Sequence, residues 1–215
     1  FQSDSGNITL LGEDEGQGGG MNLGNGKIST NTGNVSIQSL GSGVGGITAP
    51  AIINAHTVTI GDLNTYNQVT TASINATGPV VVEAGGGYIN PPPSCVGGCV
   101  PGGSSEGDVY IGGSITTTAQ PITILAGQAV PTSTAVGGVQ IGGGLSIATS
   151  GADITISNVD ANTGVGSTGG FDGGRGVAVG FGNLTTIDAG GGHITISGEG
   201  LSGNSGNGID LNNAA

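Results

Sequence analysis

The sequence predicts an all-β parallel solenoid, a β-helix with about three short strands per coil. Three observations lead there. Five stretches share one order of apolar-x-apolar triplets, length variation falls at one point of that order, and charged residues make up only 7% of the chain. The stretches are 21–37, 58–82, 109–124, 139–156 and 177–196. Each reads as a first triplet, usually a Gly, a second β-prone triplet, a short polar turn and a third triplet. The third is the most regular: Val35-Ser36-Ile37, Val80-Val81-Val82, Ile122-Thr123-Ile124, Ile154-Thr155-Ile156 and Ile194-Thr195-Ile196. Alternation of this kind sends the outer side chains to one face of a strand and the middle one to the other.

Composition alone would suggest disorder, since Gly (49) and Pro (8) make about a quarter of the 215 residues. Disorder scatters apolar residues without period, whereas here they recur at fixed offsets. First triplets begin near 21, 58, 109, 139, 177 and 209. The uneven spacing arises because the loop after each third triplet varies while the three-strand unit is constant, as in a solenoid that admits insertions at one corner. Gly suits such corners, where backbones turn sharply or approach closely. An antiparallel sandwich would need two-residue hairpin turns and leaves the three-triplet unit unexplained. The expectation is one domain over 1–215, with five full coils, partial coils at both ends and a loop insertion at about 87–107.

The ends carry the assembly expectation. Ile8-Thr9-Leu10 matches a third triplet with no first or second before it, and Ile209-Asp210-Leu211 matches a first triplet with nothing after it. Neither end has a polar cap, which soluble solenoids use to blunt terminal strands. One subunit's C-terminal part-coil would then be completed by the next subunit's N-terminal strand, giving an open head-to-tail fibre. A boundary that falls mid-coil in a longer solenoid explains the same pattern, as does a mature form made by processing.

The stretches GNVSIQS, HTVTIGDLNT, ASINATGPVVVEAGG, DITISNVDANTG and NLTTIDAGGGHITISGEGLSG resemble the repeats of filamentous-haemagglutinin-like bacterial exoproteins, exported by two-partner or autotransporter routes. The resemblance covers nearly the whole chain outside the Cys-bearing loop. It implies a right-handed parallel β-helix, an extracellular or cell-surface location, and a part in adhesion, matrix or fibre formation. The family's secretion domain with its Asn-Pro-Asn signature is not seen within these residues, so the resemblance implies a shaft portion. Fold likeness does not itself supply function.

Chemistry-bearing residues are few. Two Lys and Arg against 14 Asp and Glu give a net charge of −12, and Lys27 with Arg175 cannot neutralise a run of phosphates or hold an anionic membrane. The expected partners therefore include no nucleic acid and no membrane insertion. Cys95 and Cys99 sit in a Pro- and Gly-rich stretch without a His neighbour or second Cys pair, which favours a small disulfide loop over a zinc site. Glu13, Asp14 and Glu15 form one acidic cluster, a weak calcium candidate whose bland alternative is a solvated loop. No metal and no cofactor is expected.

An enzyme is not expected either. Glycoside hydrolysis needs two carboxylates at a set separation, and nothing identifies Asp108 and Asp153 as partners; His56 and His193 read as corner residues. More regular is the outward ladder Thr9, Ser36, Val81, Thr123, Thr155 and Thr195, a line of hydroxyl or β-branched side chains suited to lateral packing, glycan attachment or carbohydrate contact. Its bland reading is β-propensity. Sequons occur at Asn7, Asn34, Asn75 and Asn183. The functional expectation is a non-enzymatic extracellular shaft or fibre module that self-associates head-to-tail or continues a longer solenoid. The alternatives are a carbohydrate- or matrix-binding adhesin segment and, behind it, a polysaccharide-active enzyme.

Overall fold

Alternating apolar and small polar residues, broken every few positions by Gly, give strands too short to pair as hairpins and too uniform to differ between coils. They stack on their own repeats instead. The computed structural model describes residues 1–12, 21–39, 45–49, 52–86, 107–129, 137–159, 176–200 and 207–215, and none of these is helical. Among these residues twenty strands form three parallel sheets of seven rungs each. Sheet A contains β1 (Gln2–Ser3), β4 (Lys27–Thr30), β7 (Ile52–Ala55), β9 (Ser73–Ala76), β12 (Ile115–Thr117), β15 (Ser146–Ala148) and β18 (Thr186–Asp188). Sheet B contains β2 (Ile8–Gly12), β5 (Val35–Ser39), the first part of β8 (Val58–Thr71), β10 (Val80–Gly86), β13 (Ile122–Ala129), β16 (Ile154–Ser157) and β19 (Ile194–Ser197). Sheet C contains β3 (Met21–Asn22), β6 (Gly45–Thr48), the second part of β8, β11 (Val109–Ile111), β14 (Val139–Gly142), β17 (Val177–Phe181) and β20 (Ile209–Leu211). The chain visits A, B and C in that order seven times, which is the predicted parallel solenoid with three strands per coil. At the usual rung spacing the stack is about 30 Å long.

Inward positions hold the core. On sheet A, Ile28, Ile53, Ile74, Ile115 and Ile147 stack in one line; on sheet B, Ile37, Ile60, Val82, Ile124 and Ile156 do the same, all at 1% exposure or less. Burying a side chain of this kind contributes roughly 1.5–3 kcal/mol, so the core rather than the turns holds the rod together. Towards the A–B corner the inward residues shrink to Thr30, Ala55, Ala76, Thr117 and Thr149. Their hydroxyls serve the turn: Thr30 Oγ1 accepts from Gly33 N–H at 2.9 Å, and Thr149 Oγ1 donates to the Gln120 carbonyl at 3.0 Å.

Thr71 breaks that rule. It occupies an inward rung of sheet C between Ala49 and Ile111, is 2% exposed, and its Oγ1 has no hydrogen-bond partner among the described residues. Burying an unpaired hydroxyl costs about 1–3 kcal/mol. Thr71→Val keeps the shape and removes the orphan, so it should raise stability by about 1 kcal/mol. Urea denaturation checks this; an unchanged or lower midpoint refutes it.

Register corrects three details of the sequence reading. The stretch 58–82 is not one coil. Val58–Ile60 pairs in sheet B with Val35–Ile37 and Val80–Val82, so it is a third triplet, and the first triplet of the following coil is Val69-Thr70-Thr71. Gly45–Thr48 and Ile52–Ala55 supply the missing first and second strands, which makes six full coils in that frame where five were expected. At the N-terminal end, Ile8–Leu10 is preceded by a second-triplet strand, because Gln2 and Ser3 pair with Ser29 and Thr30. At the other end the chain continues past Leu211 into sheet A, where Ala214 bridges to Thr185.

Candidate functional site

Corner lengths decide where function can sit. Connections from A to B hold two to five residues and those from C to A one to four, whereas those from B to C hold from none, inside β8, up to 22 between β10 and β11. Every long connection therefore leaves from one edge of the rod, as the variable loop after each third triplet predicted. Ten of the fourteen acidic residues lie in these B–C connections or on the strand ends that feed them, against the single cation Arg175.

The described part of this edge is built from the backbone outwards. Asp108 is 9% exposed, and its Oδ1 accepts from Gly138 N–H at 2.8 Å, tying one coil to the next. Burial pushes its carboxyl up to about 6, and the Gly138 hydrogen bond opposes that rise. Glu83, on β10, is raised by burial first and by the nearby Asp62 second. One rung further along, Asn158 is fully buried. Its amide donates to the Glu199 carbonyl at 3.0 Å and the Gly137 carbonyl at 3.3 Å, and its Oδ1 accepts from Glu199 N–H at 2.9 Å. It substitutes a side chain for ladder bonds across three successive coils. Nothing in the sequence separates this Asn from the many in turns.

The other predicted site residues are dispersed. Asp153 lies at the A–B corner, where its Oδ1 accepts from His193 N–H at 2.9 Å, on a different edge from Asp108. His56 is exposed at the same corner, and its Nδ1 stands 2.9 Å from Thr77 Oγ1. Among the described residues no group of three His, Cys, Asp or Glu is placed to hold a metal. Cys95, Cys99, Glu13, Asp14 and Glu15 lie outside the described residues.

The outward hydroxyl ladder is one continuous line of sheet B. Thr9, Ser36, Thr59, Val81, Thr123, Thr155 and Thr195 occupy matching rungs. Thr59 fills the rung that the misread coil had hidden. Sheet A carries a shorter polar ladder, in which the Asn75 amide donates to Asn54 Oδ1 at 2.9 Å and its Oδ1 accepts from the Thr116 hydroxyl at 3.0 Å. The sequon at Asn75 is thus part of a hydrogen-bonded stack.

The two end faces are of a different kind. Ile194 (45%), Ile209 (41%) and Leu211 (53%) are exposed, although their register partners one coil back, Ile154, Val177 and Leu211's partner Val179, are 0% exposed. These are core-type positions that no further strand of the described residues covers. At the opposite end Ile8, Leu10, Met21 and Leu23 are only half-buried and Phe1 is 71% exposed. Among the described residues, incompletely covered apolar side chains thus mark β2 and β3 at one end and β19 and β20 at the other. Compared with known proteins, the chain matches no family model, no curated protein and no solved structure.

Proposed function

We propose that this chain is a non-enzymatic structural β-solenoid, a shaft or fibre-building module of a surface or secreted exoprotein, whose end faces are met by further coils. The observation that carries the reading is the pair of end faces, where core-type residues, Ile8 and Leu10 at one and Ile194 and Leu211 at the other, are left incompletely covered among the described residues. Parallel strand addition gives main-chain bonds for affinity, and the apolar rungs give the driving force. The repeat's resemblance to haemagglutinin-like exoproteins supports the extracellular setting and a shaft role.

Sedimentation and negative-stain imaging of the 215-residue chain test it. Wild type should form rods whose mass grows with concentration, and Ile194→Arg with Leu211→Arg should return them to single chains, since both residues are already exposed in the isolated rod. A uniform 20.3 kDa monomer at hundreds of micromolar would sink the reading.

A carbohydrate- or matrix-binding adhesin segment is the second reading. What favours it is the gathering of every long connection on one edge, where solenoids commonly place their contacts. Hydrogen exchange separates the two: protection on assembly at β1 to β3 and β18 to β20 belongs to stacking, and protection at the B–C edge on adding carbohydrate belongs to adhesion.

A further inference from the structure

Two Asn-Gly steps occur in the sequence, Asn25-Gly26 and Asn207-Gly208, and the fold treats them oppositely. At such a step an asparagine loses its amide most readily, because glycine offers a backbone nitrogen that no Cβ shields. The nitrogen must reach the asparagine's side-chain carbonyl, so the rigid peptide plane between the two residues has to turn. What surrounds that plane decides whether it can.

Asn25-Gly26 lies in the C–A turn between β3 and β4. The turn is tied at its entry, where Leu23 N–H donates to the Thr48 carbonyl at 3.0 Å and Gly24 N–H donates to Asn22 Oδ1 at 2.9 Å. Beyond that point Gly24, Asn25, Gly26 and Lys27 are all exposed. No atom lies within 4 Å of where a Cβ on Gly24 would stand, and the nearest to one on Gly26 is the Leu23 carbonyl oxygen at 3.7 Å. Asn207-Gly208 is clamped instead. The Asn207 carbonyl accepts from Gly176 N–H at 3.1 Å and the Gly208 carbonyl from Val177 N–H at 2.9 Å, which fixes both ends of the step to the coil before. A Cβ on Gly208 would stand 2.5 Å from the Gly198 carbonyl oxygen. Turning this plane breaks inter-coil hydrogen bonds, whereas the plane between Asn25 and Gly26 turns at an exposed corner.

From this contrast we propose that Asn25 is a site of spontaneous backbone modification in the folded rod, and that the same fold protects Asn207. The Gly26 nitrogen attacks Cγ of Asn25 and the new N–Cγ bond closes a cyclic imide. The Cγ–Nδ2 bond breaks, and ammonia leaves with the proton that Gly26 gave up. Water then opens the imide. Addition at Cγ restores the ordinary backbone and leaves an aspartate. Addition at the main-chain carbonyl leaves an isoaspartate, whose backbone runs through the former side chain and is one methylene longer. Overall one water is consumed and one ammonia released, with no change of oxidation state. The product adds a negative charge beside Lys27 to a chain already at −12. The extra methylene is taken up in the turn, outside the ladders of β3 and β4, so the modified rod keeps its stability. At Asn207 the same methylene would push Gly208 out of its bond with Val177.

Peptide mapping by mass spectrometry, on the full chain held at mildly alkaline pH and body temperature, tests this; an isoaspartate-specific methyltransferase reads the rearranged product. In the folded chain Asn25 should convert several-fold faster than Asn207. In urea, where neither environment exists, the two should convert at comparable rates. Gly26→Ala should suppress most of the conversion at Asn25 while leaving the urea midpoint unchanged. Its Cβ shields the attacking nitrogen, yet meets nothing closer than an ordinary contact with the Leu23 carbonyl. An Asn207 that keeps pace with Asn25 in the folded chain overturns the proposal, as does an Asn25 that stays an amide there. A preference for Asn25 that persists undiminished in urea also overturns it, because the flanking sequence and not the fold would then set the rates.

Discussion

Gly61→Ala should destabilise the rod by about 3–5 kcal/mol, far more than Gly182→Ala, although the two glycines share nearly the same positive φ. Their φ angles are +90° and +89°. An alanine pays roughly 1–2 kcal/mol for that left-handed conformation at either site. The surroundings differ completely. At Gly182 no atom lies within 4 Å of where a Cβ would stand, whereas at Gly61 the Glu83 carbonyl oxygen would be 1.7 Å away and the Val69 Cγ2 3.1 Å. Backbone of the next coil cannot yield without opening the ladder between β8 and β10. The two variants therefore separate conformational strain from steric exclusion. Urea midpoints on wild type, Gly61→Ala and Gly182→Ala measure it, and equal losses in the two variants would show that the close approach carries no cost.

Gly61 also explains where the sequence was misread. It sits at the B–C turn within β8, the one coil with no connection at that corner, so two strands run together as 58–71. A reading that looks for a polar turn between triplets counts Val58–Ile60 as the start of a coil and loses the coil before it. The third triplets, by contrast, were legible because Val and Ile alternate with small polar residues over three clean positions, and each lies on sheet B in register. The end strands were legible as well, since their apolar-x-apolar form matches the repeat wherever it occurs. What a linear reading could not supply is anything that depends on stacking. The proximity of Glu83 to Asp62, the buried roles of Asp108 and Asn158 and the orphaned hydroxyl of Thr71 all require knowing which residues share a rung. Their chemical types are ordinary for turns or strands; only their neighbours in the adjacent coils distinguish them.

Asp108→Asn should make the protein more stable at neutral pH and flatten its pH dependence between about 4 and 6. The carboxyl is raised to about 6 in the fold, chiefly because burial disfavours its charge, against an ordinary value of 3.8. For an acid raised on folding, the native state holds a proton through the window in which the unfolded chain has already lost it. Stability is then greatest below about pH 4, falls as pH rises towards 6, and stays at its lower level above that. The shift of about two units corresponds to a loss on the order of 3 kcal/mol. An Asn side chain keeps an oxygen to accept from Gly138 N–H and carries no charge to desolvate, so most of that loss should return at pH 7. Glu83 is raised in the same direction by burial and by Asp62, and leaves a smaller slope of the same sign in the variant. Urea denaturation at pH 5 and pH 7.5 tests this. Wild type should lose stability between the two and Asp108→Asn should lose markedly less; parallel profiles for the two proteins would assign the pH dependence to the general negative charge of the chain instead.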